Sequence, residues 1–150
     1  MANADSVGQN TGDSFSNYRI GVIRATGLNT AGNAVITIPI LSGGLTNGGT
    51  IANSGEVIVR RITVQNPTGS VALANVSVGL TGDGANLITA VTSLSSVNAV
   101  GKFQDIAVTS TYQTTAITGN VTQCFYVNVG NASTTSNTVD ICVWGDVVSF

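Results

Sequence analysis

The sequence is poor in charge: only 12 of its 150 residues are Lys, Arg, Asp or Glu, and it contains no histidine. An ordinary soluble domain has about 25% charged residues, so most groups that acid–base and metal chemistry need are missing. Ser–His–Asp triads, Cys–His pairs and histidine metal sites are excluded. The seven acidic residues are spread singly along the chain, which predicts solvated carboxylates rather than a catalytic pair. We therefore expect no enzyme, no metal site and no cofactor.

Other shortages narrow the class of protein further. Five Lys and Arg residues are too few to neutralise a phosphate backbone, so nucleic-acid binding is not expected. No apolar run approaches the roughly 20 residues of a membrane span, and the mean hydropathy of +0.34 argues against disorder. The first ten residues lack the basic and apolar regions of a secretory signal, which indicates synthesis in a cytoplasm. Two cysteines are too few for a disulfide framework.

What the sequence does contain is a series of short β-rich runs, separated by clusters of Gly, Asn, Ser and Thr that favour turns. An irregular crossing or one helical turn is expected after residue 91, where the strand pattern is interrupted. The predicted strands are residues 18–25, 35–39, 56–65, 71–80, 87–91, 103–108, 111–117, 123–129 and 139–144.

This pattern predicts an all-β fold, because short strands recur without a credible long helix. Strands of this length and spacing are typical of an antiparallel β-sandwich of jelly-roll type. We expect a single domain over residues 17–150. Apart from Met1, residues 1–16 hold only two large apolar side chains, Val7 and Phe15, which predicts an extended N-terminal arm or a frayed terminus.

The last two predicted strands alternate apolar and polar residues and flank a turn-rich linker. Folding that linker about its centre predicts a hairpin in which Phe125 lies opposite Ile141 and Cys124 lies opposite Cys142. A cross-strand disulfide between the two cysteines fits this register. Cytoplasmic synthesis favours two free thiols instead, so both alternatives stay open.

Four side chains are candidates for contact with another molecule. Strict alternation along residues 56–65 points Arg60 and Arg61 to opposite faces of the strand. One of them then lies near a core or an interface and pairs with an acid; the alternative is an arginine at a sheet edge with its head in water. In the predicted hairpin, Tyr126 and Trp144 share one face, where exposed aromatics mark a protein interface or a sugar platform. Both faces of the hairpin are apolar, so the alternative is that this face is buried and the Val/Ile face is the interface.

Several segments resemble the jelly-roll decoration (cement) proteins of tailed-phage capsids: residues 124–130 with 139–145, and residues 86–91 with 101–106. The resemblance extends over about residues 55–150 and lies in strand rhythm, Gly/Ala/Thr-rich loops and low charge. It implies a homotrimer that docks on the exterior of an HK97-like capsid near local threefold axes. Its partners would be the major capsid protein and further copies of itself, in a virion assembled in the host cytoplasm. It would clamp neighbouring capsomers by multivalent contact, without catalysis.

Two other functions stay open from the sequence. A carbohydrate-binding β-sandwich needs a platform of exposed aromatics, and this chain has one Trp, three Tyr and four Phe. A small single-jelly-roll coat protein often carries a basic arm that holds a genome, and residues 1–16 contain no Lys or Arg. The scarcity of charge favours a subunit whose surroundings are other subunits, since buried ions are costly.

Overall fold

The computed structural model describes residues 18–30, 34–39, 55–81, 86–114, 117–119 and 124–149; the predicted N-terminal arm lies outside them. No helix in this described part is long and apolar enough to cross a membrane. The described elements, in chain order, are β1 (Tyr18–Gly27), β2 (Ala34–Pro39), β3 (Gly55–Gln65), β4 (Asn75–Gly79), β5 (Thr92–Ser93), β6 (Gln104–Ile106), α1 (Ser110–Thr114), β7 (Ile117–Gly119), β8 (Cys124–Asn131) and β9 (Thr138–Ser149).

The strands form two antiparallel sheets. The first sheet has the order β1–β9–β3–β6, with β7 also paired to β3, and the second has the order β2–β8–β4–β5. The chain changes sheet at most of its connections, so neighbours within a sheet are distant in sequence. The all-β antiparallel sandwich predicted from the sequence is confirmed.

The core lies between the two sheets and consists of aliphatic side chains with one phenylalanine. Those on strands come mostly from alternate positions, because successive side chains of a strand point to opposite faces. Others, such as Leu28, Ile88 and Leu94, lie in the connections between strands. Burying one such side chain contributes about 1.5 to 3 kcal/mol. The core-facing residues of β8 and β9 are Phe125, Val127, Val129, Val139, Ile141 and Val143.

The last two strands do not form the predicted hairpin. β8 pairs with β2 and β4 in the second sheet, whereas β9 pairs with β1 and β3 in the first. Residues 132–137 cross between the sheets, and the backbone N–H of Ser133 anchors them by donating to the carbonyl oxygen of Leu28 (2.8 Å). The expectation that Phe125 lies opposite Ile141 was therefore wrong. Alternation identifies the buried face of a strand but not the strand beside it.

β3 contains one residue more than the strand it faces. Arg61 lies opposite Trp144 and Val59 lies opposite Gly145, so Arg60 has no counterpart on β9. Because of this β-bulge, the core-facing side chain after Val59 comes one residue later in β3 than strict alternation predicts. The core-facing side chains of β3 are Val57, Val59, Ile62 and Val64.

Because of the bulge, the predicted placement of Arg60 and Arg61 on opposite faces was wrong. Both side chains are exposed and lie on the outer surface of the first sheet. Strict alternation would have turned Arg61 towards the core, where an unpaired guanidinium costs several kcal/mol (on the order of 3 to 5).

Two predicted strands differ from the observed ones. The strand expected at residues 71–80 begins only at Asn75, because the backbone N–H of Ala74 donates to the carbonyl oxygen of Val71 (2.9 Å) and closes a turn. The strand expected at residues 111–117 is replaced by α1 followed by the three-residue β7.

The interrupted pattern after residue 86 gives isolated bridges instead of a continuous strand. Leu87 is bridged to Gly79, and Thr89 is bridged to Val108. The two-residue β5 follows, and the chain then continues without regular structure to β6. This agrees with the irregular crossing that was one of the two predictions for this segment.

Replacement of Gly145 tests the bulge. A Cβ atom there would overlap the carbonyl oxygen of Ile58 and approach Cδ1 of Ile20 to 3.2 Å. We expect Gly145→Ala to lower the free energy of unfolding by about 2 kcal/mol or more, because a packed sheet cannot absorb the overlap. Urea denaturation followed by tryptophan fluorescence measures the change.

The matched control is Gly130→Ala in β8. The nearest atom to a Cβ built at Gly130 is Cβ of Asn75, at 3.9 Å, which is ordinary contact. This variant should stay within about 0.5 kcal/mol of the wild type. Equal effects of the two substitutions would contradict the account of the bulge.

Candidate functional site

Charge in the described strands is confined to one sheet. Every charged residue of these strands belongs to β1, β3, β6 or β9, and the second sheet carries none. The strands of the first sheet carry four arginines against three aspartates and Glu56, so their charges balance, whereas the whole chain has a net charge of −2. We call this surface the charged face; it consists of Arg19, Arg24, Arg60, Arg61, Asp105, Asp140, Trp144 and Asp146.

Two arginines of the bulge tie neighbouring elements together. Arg60 pairs with Asp146 of β9 (Nη2–Oδ2 2.7 Å) and also donates to the backbone carbonyl oxygen of Gln113 in α1. Arg61 pairs with Asp105 of β6 (Nε–Oδ1 3.0 Å). Exposed pairs of this kind contribute only about 0 to 1 kcal/mol. Their effect is to hold the guanidinium groups in defined positions rather than to stabilise the fold.

Asp140 is the most buried charge of the face, with a side chain that is 12% exposed. Its carboxylate accepts hydrogen bonds from the backbone N–H of Ala25 (2.9 Å) and from Nδ2 of Asn66 (2.8 Å), and it lies 3.6 Å from Arg24. Ala25 and Asn66 both have left-handed backbone conformations, with φ of 49° and 52°. Asp140 therefore secures two backbone positions that L residues adopt only at a cost.

The pKa of Asp140 is lowered from its ordinary value of 3.8. Burial acts in the opposite direction, since it disfavours the charged form. The hydrogen bonds from Asn66 and Ala25 and the charges of Arg24 and Arg19 together outweigh it. The carboxylate is thus stabilised by the folded structure.

Trp144 lies in the middle of the charged face and is half-buried. Its indole Nε1 donates to the hydroxyl oxygen of Thr63 (3.1 Å), and Thr63 and Cys142 beside it are almost fully buried. Burial raises the pKa of the Cys142 thiol, with the nearby carboxylate of Asp140 acting in the same direction. Arg61 lies directly opposite Trp144 on the neighbouring strand.

The candidate disulfide between Cys124 and Cys142 is not formed. Cys142 is a free, buried thiol. Cys124 lies opposite Pro39 in the second sheet, whereas Cys142 lies opposite Val22 and Thr63 in the first. The disulfide alternative depended on the hairpin register, which the structure does not have; the other alternative, a free thiol, describes Cys142.

The structure brings together three of the four side chains proposed as an interface. Arg60, Arg61 and Trp144 share the charged face, whereas Tyr126 is half-buried on β8 in the other sheet. The expectation that Tyr126 and Trp144 share a face was wrong for the same reason as the cysteine pairing. The sequence analysis missed Asp140, although an acidic residue within an apolar strand was a visible signal.

No family model matches the sequence, and no curated protein or solved structure is detectably similar to it. Within the described residues, no group of three or more His, Cys, Asp or Glu side chains could hold a metal ion. Any function must therefore be argued from the residues of this chain.

The pH dependence of stability tests the role of Asp140. Because its pKa is lower in the folded protein, its contribution is present above about pH 4 and is lost as the pH falls through the folded pKa. We expect Asp140→Asn to be less stable than the wild type at pH 7 by about 1.5 to 3 kcal/mol. Between about pH 5 and pH 2 the difference should shrink. Urea titrations at each pH measure both effects.

Asp105→Asn is the control, because the side chain of Asp105 is 52% exposed and forms no ion pair within the described part of the chain other than the one with Arg61. Its loss at pH 7 should not exceed about 1 kcal/mol. A constant gap between wild type and Asp140→Asn at all pH values would disprove the role assigned to Asp140.

Thiol reactivity tests the state of Cys142. We expect iodoacetamide to modify Cys142 slowly in the folded protein and rapidly in urea, because the thiol is buried and its pKa is raised. Peptide mass spectrometry after alkylation without reductant reports this site separately from Cys124. Rapid labelling of Cys142 under native conditions, or a disulfide-linked peptide, would show that the described environment is wrong.

Proposed function

We propose that this protein is a structural subunit of a virus particle, which binds the outer surface of a phage capsid and bridges major capsid subunits. The observation that carries the proposal is the concentration of charge around Trp144 on one sheet, in a chain that is otherwise almost free of charge. Such a distribution favours a surface used for contact with another protein.

The charged face has the composition of a protein-binding surface. Tryptophan and arginine are enriched among the residues that dominate binding energy, near the centre of a contact. Trp144 is anchored by its hydrogen bond to Thr63, and Arg61 by its pair with Asp105, so both lose little freedom on binding. Arg19 is exposed and has no ion pair among the described residues, which favours a partner surface with an acidic group at that position.

The strand order supports the jelly-roll form of the sandwich. A jelly roll has eight strands in two four-stranded sheets whose members alternate along the chain. The orders β1–β9–β3–β6 and β2–β8–β4–β5 have this interleaving, with the short β7 as an addition to the first sheet. The same fold is implied by the resemblance to capsid decoration proteins.

A trimer would make weak contacts effective. Three copies that engage one capsid increase the overall strength of binding without any new contact, because the second and third contacts are intramolecular. Sedimentation should then give three times the 15.1 kDa chain mass.

The alternatives receive less support. A sugar platform built from Tyr126 and Trp144 would need the two rings on one face, and they belong to different sheets. A single-jelly-roll coat protein would share the fold, but it would assemble into closed shells without a second capsid protein.

Charge reversal on the face tests capsid binding. The proposed partner is an HK97-like major capsid protein assembled into shells, and the assay is co-sedimentation with those shells. We expect Arg61→Glu to weaken binding about tenfold or more, because it removes a central positive group and repels an acidic partner. Its side chain is 49% exposed, so folding should be maintained.

Lys102→Glu makes the same change of charge outside the charged face, two residues before β6, and should bind as the wild type does. Three results would refute the proposal: no binding to the shells, equal effects of the two variants, or shells formed by this protein alone.

A further inference from the structure

A small pocket opens at the end of the sandwich where β3 finishes. Its volume is about 230 Å³, and it is lined by Gln65, Asn66, Gly101, Lys102 and Phe103. Sites for drug-sized ligands have volumes of about 300 to 1,000 Å³. This pocket therefore suits a single ring rather than an extended ligand.

The lining of the pocket includes an exposed aromatic ring. Phe103 is 58% exposed, although the chain has only four phenylalanines and buries Phe125 completely. Gly101 has φ of +80°, and a Cβ built there would meet no atom within 4 Å, so the space beside Gly101 is open. A flat apolar group could enter this pocket and contact the exposed ring of Phe103.

The polar groups of the pocket are oriented by their neighbours. Nδ2 of Asn66 donates to Asp140 (2.8 Å), and Oε1 of Gln65 accepts from the hydroxyl of Thr63 (3.3 Å). These bonds leave the Asn66 carbonyl oxygen as an acceptor and the Gln65 NH2 group as a donor. Two amides held in this way can recognise hydroxyl groups.

Lys102 supplies the charge. Among the described residues it forms no ion pair, in contrast to Arg24, Arg60 and Arg61, and none of the five lining residues is acidic. A ligand with a carboxylate would form a charge-assisted hydrogen bond with this ammonium group.

We infer that the pocket binds one sugar ring that carries a carboxylate, such as a hexuronate. The C–H face of the ring would stack on Phe103, its carboxylate would pair with Lys102, and its hydroxyls would bond to the two amides. A neutral sugar would leave Lys102 without a partner. An Asp or Glu side chain of a protein would use Lys102 but would leave the ring of Phe103 uncovered. This site does not depend on capsid binding.

The test is an NMR titration of the ¹⁵N-labelled protein with sodium glucuronate, with methyl β-glucoside and with N-acetylglutamate. We expect saturable shifts at residues 101–103 with glucuronate. The glucoside should bind at least about fivefold more weakly, since it lacks the charged hydrogen bond, and N-acetylglutamate should produce no saturable shift. Binding of glucuronate should weaken as salt is added.

Variants assign the contacts. Phe103→Ala should weaken glucuronate binding about tenfold, and Lys102→Gln should make glucuronate bind no better than the glucoside. The matched control is Val100→Ala, which removes an exposed side chain (71%) from the same loop outside the lining and should change nothing.

Three results would overturn the inference: no saturable shift with glucuronate, equal binding of N-acetylglutamate, or unchanged binding by Phe103→Ala. Each is separable from failure of the capsid proposal, because that proposal is tested through Arg61 and shell binding. All three substitutions are at exposed positions, so circular dichroism can verify that the variants remain folded.

Discussion

The extra residue in β3 is the constraint on which the arrangement of the first sheet depends. Without the bulge at Arg60, one of the two adjacent arginines would point into the core, where no acidic side chain lies among the described residues. With the bulge, both guanidinium groups reach the outer surface, and the next aliphatic side chains of β3, Ile62 and Val64, still point into the core. On β9 the bulge requires a glycine at position 145, because a side chain there would overlap the backbone of Ile58. Together, the extra residue in β3 and Gly145 in β9 let the charged side chains of this sheet lie on its outer surface while its aliphatic side chains fill the core.

Much of the fold class was predictable, because short alternating runs and turn clusters are local signals. The pairing of strands was not. β8 and β9 are neighbours in sequence and each has a clear inward face, yet they lie in different sheets because residues 132–137 cross the sandwich instead of reversing the chain. Alternation records which face of a strand is buried and contains no information about the strand beside it. The possible disulfide and the placement of Tyr126 on the same face as Trp144 both depended on the predicted hairpin, so the structure has neither.

The candidate site was predictable only where single residues pointed to it. Arg60, Arg61 and Trp144 were visible as charged or aromatic residues within strands. The contact between Ala25 and Asp140 was not, because it joins residues 115 positions apart and depends on a left-handed backbone conformation. The bulge escaped prediction for a related reason: an extra residue shows only against the register of its partner strand.

The ion pairs of the charged face decide what can cover it. Removing a charge from water is costly unless it keeps a partner, and Arg24, Arg60 and Arg61 each have an aspartate within 3.6 Å. Arg19 forms no such pair among the described residues and is exposed. A protein that buries the whole face must therefore supply a hydrogen-bond acceptor for Arg19. The described strands of the second sheet carry no charge, so a partner that covers them needs no such acceptor. Arg19 lies opposite Trp144 on the neighbouring strand. The partner surface should therefore have an acidic group at a defined position, next to the site that contacts Trp144.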